Sequence, residues 1–272
     1  MKMIKKNKLP PSYFKESMPD WKRRKDPVLT RLFYRPVSFI CASIISRFDI
    51  SANTVSYASI IVAISACAFF LLPGYSWHII GSILVNIWGL MDCVDGNIAR
   101  SIKKEAYGEF ADSLSSYTLV ALLCTTMGVA VYHQGGVLFD AGNIWIVIIG
   151  AIASTADTLC RLTYQKFKTV SYELYKAGVI PPIEDKRREA NQSSSFQAKV
   201  ENELGVGGIL PFVILIATLF HFLDIIVMYC FCFYGGSYLV TSFIYIRKAI
   251  QYAKQYPMST EKEKGNIKKG VN

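Results

Sequence analysis

The chain has 272 residues, 52% of them hydrophobic, and a net charge of +10. Its mean hydropathy is positive, and several apolar runs reach the roughly 20 residues that cross a bilayer, so the composition describes one polytopic membrane domain and excludes a second large soluble one. The positive charge excludes a nucleic-acid partner by its distribution: residues 1–36 hold eleven Lys/Arg against three Asp/Glu, and the rest follows alternate hydrophobic runs, the positive-inside pattern of a protein held against anionic lipid.

Residues 1–26 are polar, charged and contain three prolines, and read as a partly disordered cytoplasmic tail. Residues 27–48 mix aromatic and aliphatic side chains with Arg31, Arg35 and Arg47. Pro36 interrupts that run. An interfacial amphipathic helix is expected there, its apolar side in the headgroup boundary and its arginines at the phosphates. Asp49, Ser51 and Asn53 offer capping groups for the first span, at 54–72, which Pro73 and Gly74 end. Further spans are expected at 77–91 (continuing as a helix beyond), 112–132, 143–164, 207–222 and 225–245. Residues 165–203 read as a polar connection. The fold class is an all-α integral membrane protein, six transmembrane helices preceded by an interfacial amphipathic helix. The membrane domain occupies 27–250, between a polar tail at 1–26 and a basic one at 251–272.

The connections 73–76, 133–142 and 221–224 contain no Lys or Arg, while 92–111, 165–206 and both tails hold all the clusters. Both termini are therefore expected in the cytoplasm. His78, His133 and His221 fall on the opposite side. The seven cysteines are odd in number, scattered through apolar runs and without zinc-site spacing, and read as free buried thiols.

Residues 92–116 hold the chemistry. Asp92, Asp95, Gly96, Ala99 and Arg100 fall at i, i+3, i+4, i+7 and i+8, one side of a helix, and Gly108, Asp112 and Ser116 at i, i+4 and i+8 on the next. Ionised groups at a membrane are costly unless they hold a cation or meet a charged substrate. Three carboxylates suit a hard divalent cation, Mg2+ or Mn2+, that bridges to phosphate oxygens. Arg100 could clamp a phosphate, and Gly96 and Gly108 allow close approach of a ligand or a backbone. A substrate with one greasy and one phosphorylated end, and displacement at phosphorus, follow from that placement.

At these positions the sequence resembles the CDP-alcohol phosphotransferases, whose signature is D-x-x-D-G-x-x-A-R, seven or eight residues, then G-x-x-x-D-x-x-x-D. Asp92, Asp95, Gly96, Ala99, Arg100, Gly108 and Asp112 match in type and spacing, with seven residues between Arg100 and Gly108. Asn53 to Ser56 is similar to the family's P-N-x-x-T segment, with Ala52 in place of the proline. The resemblance extends over roughly 27–250. It implies transfer of a phosphoryl-alcohol group from a CDP-alcohol, often CDP-diacylglycerol, to an acceptor hydroxyl with release of CMP. It also implies Asp92, Asp95 and Asp112 as metal ligands, Gly96, Ala99, Arg100 and Gly108 as contacts of the cytidine diphosphate, and Asn53 and Ser56 beside that pocket. The family's last aspartate, which deprotonates the acceptor, is Ser116 here, and a serine is no useful base near neutral pH. Three readings stay open. The enzyme uses another base, or an acceptor needing none; metal and positioning suffice at reduced rate; or the protein binds the nucleotide without turnover.

Asp157 and Arg161, four apart, read as an ion pair at a helix end or as groups reaching the acceptor, and Glu109 as turned away from Gly108. Lys166, Lys168, Lys176, Lys186, Arg187 and Arg188 suit a solvated loop near lipid, or an anionic acceptor such as a sugar or polyol phosphate. Gly235 and Gly236 suit close helix packing or a homodimer contact. A cation or proton transporter would carry its acids nearer mid-membrane and show repeat-related broken helices.

Overall fold

The computed structural model describes residues 9–181 and 203–257. Two short helices, α1 (Pro11–Glu16) and α2 (Asp20–Lys25), precede a π-helical turn, Thr30–Tyr34, that runs directly into α3 (Arg35–Ile45). The long helices α4 (Ala52–Leu71), α5 (Tyr75–Ser101), α6 (Gly108–Gln134) and α7 (Trp145–Lys176) follow, then the short α8 (Leu210–Leu219) and the long α9 (Leu223–Gln255). Ser51 starts α4 as its N-cap, its hydroxyl accepting from the Thr54 amide at 3.2 Å.

Among the described residues, five helices (α4, α5, α6, α7 and α9) are long and apolar enough to cross a membrane. The expected span at 207–222 is the exception. Its helix has 10 residues, about 15 Å, half a hydrocarbon core. Gly205, Gly207 and Gly208 lie in the turns before it, and Pro211 sits in its first turn. The polar connection expected from 165 is also corrected. α7 continues to Lys176 because α9 runs beside it, with Phe167 packed on Tyr245 at 4.8 Å between ring centroids.

α4 packs on α5 and α6, α6 on α7, and α7 on α9. Phe70, Val85, Leu119, Leu123, Met127, Ile214 and Val227 fill the centre. In lipid, apolar area alone does not drive helices together, so close backbone contact does. A Cβ on Gly150 would collide with the Cys124 carbonyl, and one on Gly128 would lie 2.7 Å from the Ile146 oxygen, which lets α6 and α7 touch along their backbones.

One wall of α5 is covered in two parts. α8 covers the half near Tyr75: Ser82 and Thr218 share a hydrogen bond at 2.7 Å, and the Asn86 amide donates to the Pro211 carbonyl at 2.8 Å. The N-terminal segment covers the other half, beginning with the Tyr34 hydroxyl, which donates to Asn86 Oδ1 at 2.6 Å. The α8–α9 turn returns to the end of the bundle that holds the α4–α5 turn, where His221 stacks on Tyr75 at 4.7 Å.

The reading of 1–26 as a tail does not hold from residue 9 onward. Leu9, Phe14 and Met18 are buried; the Ser43 hydroxyl donates to the Leu9 carbonyl and the Tyr13 hydroxyl to the Ser101 carbonyl. The expectation for α3 is also revised. Leu32, Phe33, Ile40, Ile44 and Phe48 do face outward, with Arg31 and Arg47 exposed beside them, but Arg35 points inward and is 6% exposed. A charge buried that far needs a partner, and Asp26 supplies it at 2.7 Å.

Candidate active site at the α5–α6 turn

α5 and α6 carry the signature residues to one end of the bundle, joined by a turn at 102–107. Tyr107 adopts the left-handed conformation, φ 59°, immediately before α6. Asn53 of α4 holds this turn: its amide donates to the Ala106 carbonyl at 2.9 Å. A Cβ on Gly108 would stand 3.3 Å from Asn53 Oδ1, so the small residue makes room for the clamp.

The carboxylates divide by depth. Asp92 and Asp112 are exposed on α5 and α6 and are neighbours across the two helices. Asp95 lies beneath them, 7% exposed, and accepts a hydrogen bond from the Ser56 hydroxyl at 2.6 Å. Two carboxyls in contact repel when both are ionised, so a proton or a cation must stand between them. Hard oxygen donors of this kind fit Mg2+ or Mn2+. The three are not gathered to one point, however: among the described residues no three His, Cys, Asp or Glu side chains form a metal-holding group, and Asp95 is engaged by Ser56.

Arg100 folds back over Gly96. A Cβ at Gly96 would lie 3.0 Å from each terminal nitrogen of that guanidinium, so the glycine serves first to seat the arginine. The Asn97 side-chain oxygen accepts from Arg100 Nη2 at 3.1 Å. Ala99 turns toward the N-terminal segment and packs with the cluster of Val94, Ile98, Leu9 and Phe14. Ser116, one turn along from Asp112 and partly buried, donates back to the Ser113 carbonyl at 3.1 Å. Ser115 beside it is buried, bonded to Ser59 at 2.5 Å and to the Trp88 indole at 2.9 Å.

Asp157 and Arg161 form the expected i, i+4 pair at 2.9 Å. Arg161 also lies 5.9 Å from the centre of the Tyr117 ring, whose hydroxyl accepts from Gln165. Glu109 is exposed and faces Lys168 of α7 at 4.0 Å. Gly235 and Gly236 have no described neighbour within 4 Å of an added Cβ, so they do not serve packing within the described chain. Lys186, Arg187 and Arg188 lie outside the described residues.

Sequence reasoning missed Asp26, Arg35, Ser59, Trp88, Asn97 and Ser115. Asn97 occupies an unspecified position of the signature. Asp26 and Arg35 are remote from it in sequence and lie among other charged residues, so no local pattern marks them.

A bundle of long apolar helices that carries acidic groups and an arginine on α5 and α6 defines a multi-pass membrane protein. The sequence model of the CDP-alcohol phosphatidyltransferase family matches residues 49–184, half of the chain, and the protein belongs to that family. The match spans α4 to α7 and all the signature residues, and stops short of both coverings of the α5 wall. No curated protein matches the chain. The family is a phosphotransferase group, generally dependent on a divalent metal, and moves a phosphoalcohol group from a CDP-alcohol.

Proposed function

We propose that this protein transfers the phosphoryl-alcohol group of a CDP-alcohol, CDP-diacylglycerol foremost, to the hydroxyl of a small alcohol or a sugar or polyol phosphate. CMP leaves, and the product enters phospholipid or related glycolipid synthesis. The observation that supports this most is the apposition of Asp92 and Asp112 above Asp95, with Arg100 seated over Gly96 on the same side of α5. In this reading Asp92, Asp95 and Asp112 hold Mg2+ or Mn2+. Arg100 receives the cytidine diphosphate, with Gly96 seating the guanidinium, Gly108 making room for Asn53, Ser56 holding Asp95 and Ala99 packed on the N-terminal segment behind. A divalent cation held by these residues would supply charge neutralisation at the phosphates. Arg100 adds a fixed positive charge at the diphosphate, and Ser56 keeps the Asp95 carboxylate oriented.

The acceptor side is the weaker half of the machinery. Ser116 stands where the signature closes with an aspartate, and its proton is bonded to its own helix. Turnover then depends on how the site positions the acceptor or on a base from elsewhere in the chain. Asp157 and Arg161 are the ionic side chains that could meet the acceptor from α7. The site and both termini are assigned to the cytoplasmic face by the distribution of basic residues.

The test is CMP release by the full chain in lipid nanodiscs, with Mg2+, radiolabelled CDP-diacylglycerol and a panel of alcohols. CMP is expected with at least one acceptor. The signal should fall about a hundredfold or more in Asp92→Asn and Asp112→Asn and vanish with chelator. Measurable CDP-lipid binding without CMP from any acceptor would leave a catalytically silent member of the family.

A further inference from the structure

Arg35 is an arginine for which the proposed chemistry has no use, yet it is buried directly behind the site. Two of its nitrogens are taken by Asp26: Nε donates to Oδ2 at 2.7 Å and Nη2 to Oδ1 at 3.1 Å. The third, Nη1, turns to α5, donating to the Cys93 carbonyl at 3.4 Å and to Asn97 Oδ1 at 3.3 Å. The Asn97 carboxamide is pinned at its other end, where Nδ2 donates to the Ser38 hydroxyl at 2.9 Å. Its oxygen therefore has one orientation, and that oxygen also receives Arg100.

Two guanidiniums thus converge on a single neutral oxygen. Like charges brought together repel, and the arrangement is tolerable because Asp26 neutralises Arg35 through a bidentate pair. The consequence falls on Arg100. A carboxylate in place of Asn97 would orient the guanidinium and cancel its charge. The carboxamide orients it and leaves the charge for an anion. Gly96 supplies the space in which the guanidinium lies. Ser38, Asp26 and Arg35 all belong to the N-terminal segment, outside the residues 49–184 shared with the family.

We propose that Asp26, Arg35 and Asn97 form a positioning relay that sets the charged Arg100 guanidinium over Gly96 to receive a nucleoside diphosphate, so that the N-terminal segment is part of the substrate site. The relay rests on the assignment of Arg100 to the diphosphate. Arg35 and Asn97 act through Arg100 and touch no substrate themselves.

The experiment measures equilibrium binding of radiolabelled CDP, with Mg2+, to the full chain in nanodiscs. Asn97→Ala and Arg35→Gln are each expected to weaken CDP binding about tenfold. In an Arg100→Ala background, neither should weaken it further. Asn97→Asp, which holds Arg100 but neutralises it, should weaken binding at least as much as Asn97→Ala. Arg35→Gln leaves the Asp26 carboxylate without its partner, so Asp26→Asn combined with Arg35→Gln serves where the single variant does not fold. Asn97→Ala keeps the Asp26–Arg35 pair intact in any case. An undiminished loss from Arg35→Gln and Asn97→Ala in the Arg100→Ala background overturns the relay and leaves the site assignment standing. CDP binding that Arg100→Ala does not weaken overturns the assignment and the relay together.

Discussion

Ser116 decides how fast the proposed reaction can run. It lies on α6 one turn from Asp112, and its hydroxyl proton is bonded to Ser113, so it offers neither a base nor a free donor to an acceptor alcohol. A general base contributes about 10²–10⁴-fold where one is used. Ser116→Asp is therefore expected to preserve CMP release or raise it by about tenfold or more, read as initial rates at fixed Mg2+ and CDP-diacylglycerol. Complete loss in that variant would mean an acceptor pocket built around serine. At this scale the sequence was informative where spacing alone fixes a face: Asp92, Asp95, Gly96 and Arg100 share one side of α5, as their i, i+3, i+4 and i+8 positions required. The upstream motif does meet α5, through the hydrogen bond from Ser56 to Asp95. What spacing could not supply is the partner of each group. Gly96 read as room for a ligand, and its nearest neighbour is Arg100, because Asn97 bends that side chain back along the helix.

At the scale of elements, the N-terminal segment is held to α5 by a charge buried on purpose. Burial pushes the Asp26 carboxyl up, but the hydrogen bond and charge of Arg35 and the charge of Lys22, 3.2 Å away, outweigh it and hold the group below its usual value of 3.8. Burial likewise pushes Arg35 down, and Asp26 more than restores it. A carboxylate with a depressed pKa contributes its stabilisation fully above the unfolded value and loses it as pH falls through the folded one. Amide hydrogen exchange across residues 20–35, corrected for the intrinsic rate, should therefore be flat from pH 7 to about pH 5. It should accelerate below about pH 4. Asp26→Asn should exchange faster already at neutral pH and show no acid transition; an acid transition that survives the substitution would assign it to another group. The long helices were legible from hydropathy, whereas α1 and α2, in a polar stretch, were not. Helix ends were legible only where a local stop signal exists, as at Pro73 and Gly74. α7 passes its expected end because aromatic packing against α9 continues it, a contact between residues about eighty apart in sequence that no local pattern records.

Among the described residues five helices are of full span, and the ten-residue α8 is too short to cross alone. A passage completed by residues 203–219 would put the site and the two ends of the described chain on one face of the membrane. Single cysteines at Lys104, Val137 and Lys254, in a background freed of the native cysteines, test this with a membrane-impermeant maleimide on sealed vesicles. Lys104→Cys and Lys254→Cys should label from the cytoplasmic face, and Val137→Cys only from the other. Labelling of 104 and 254 from opposite faces would show that α8 does not complete a passage. The short helix has its reason in Asn86, a carboxamide inside a spanning helix that takes one bond from Tyr34 and gives another to Pro211. Synthesis delivers residue 34 long before residue 211. Until residue 211 arrives, the Asn86 amide has only the Ser82 carbonyl of its own helix to donate to, at 2.8 Å, and its bond across to α8 is not yet made. The late bond therefore exchanges nothing within α5 and adds a tie between helices, so α8 docks onto a wall whose polar group is already held.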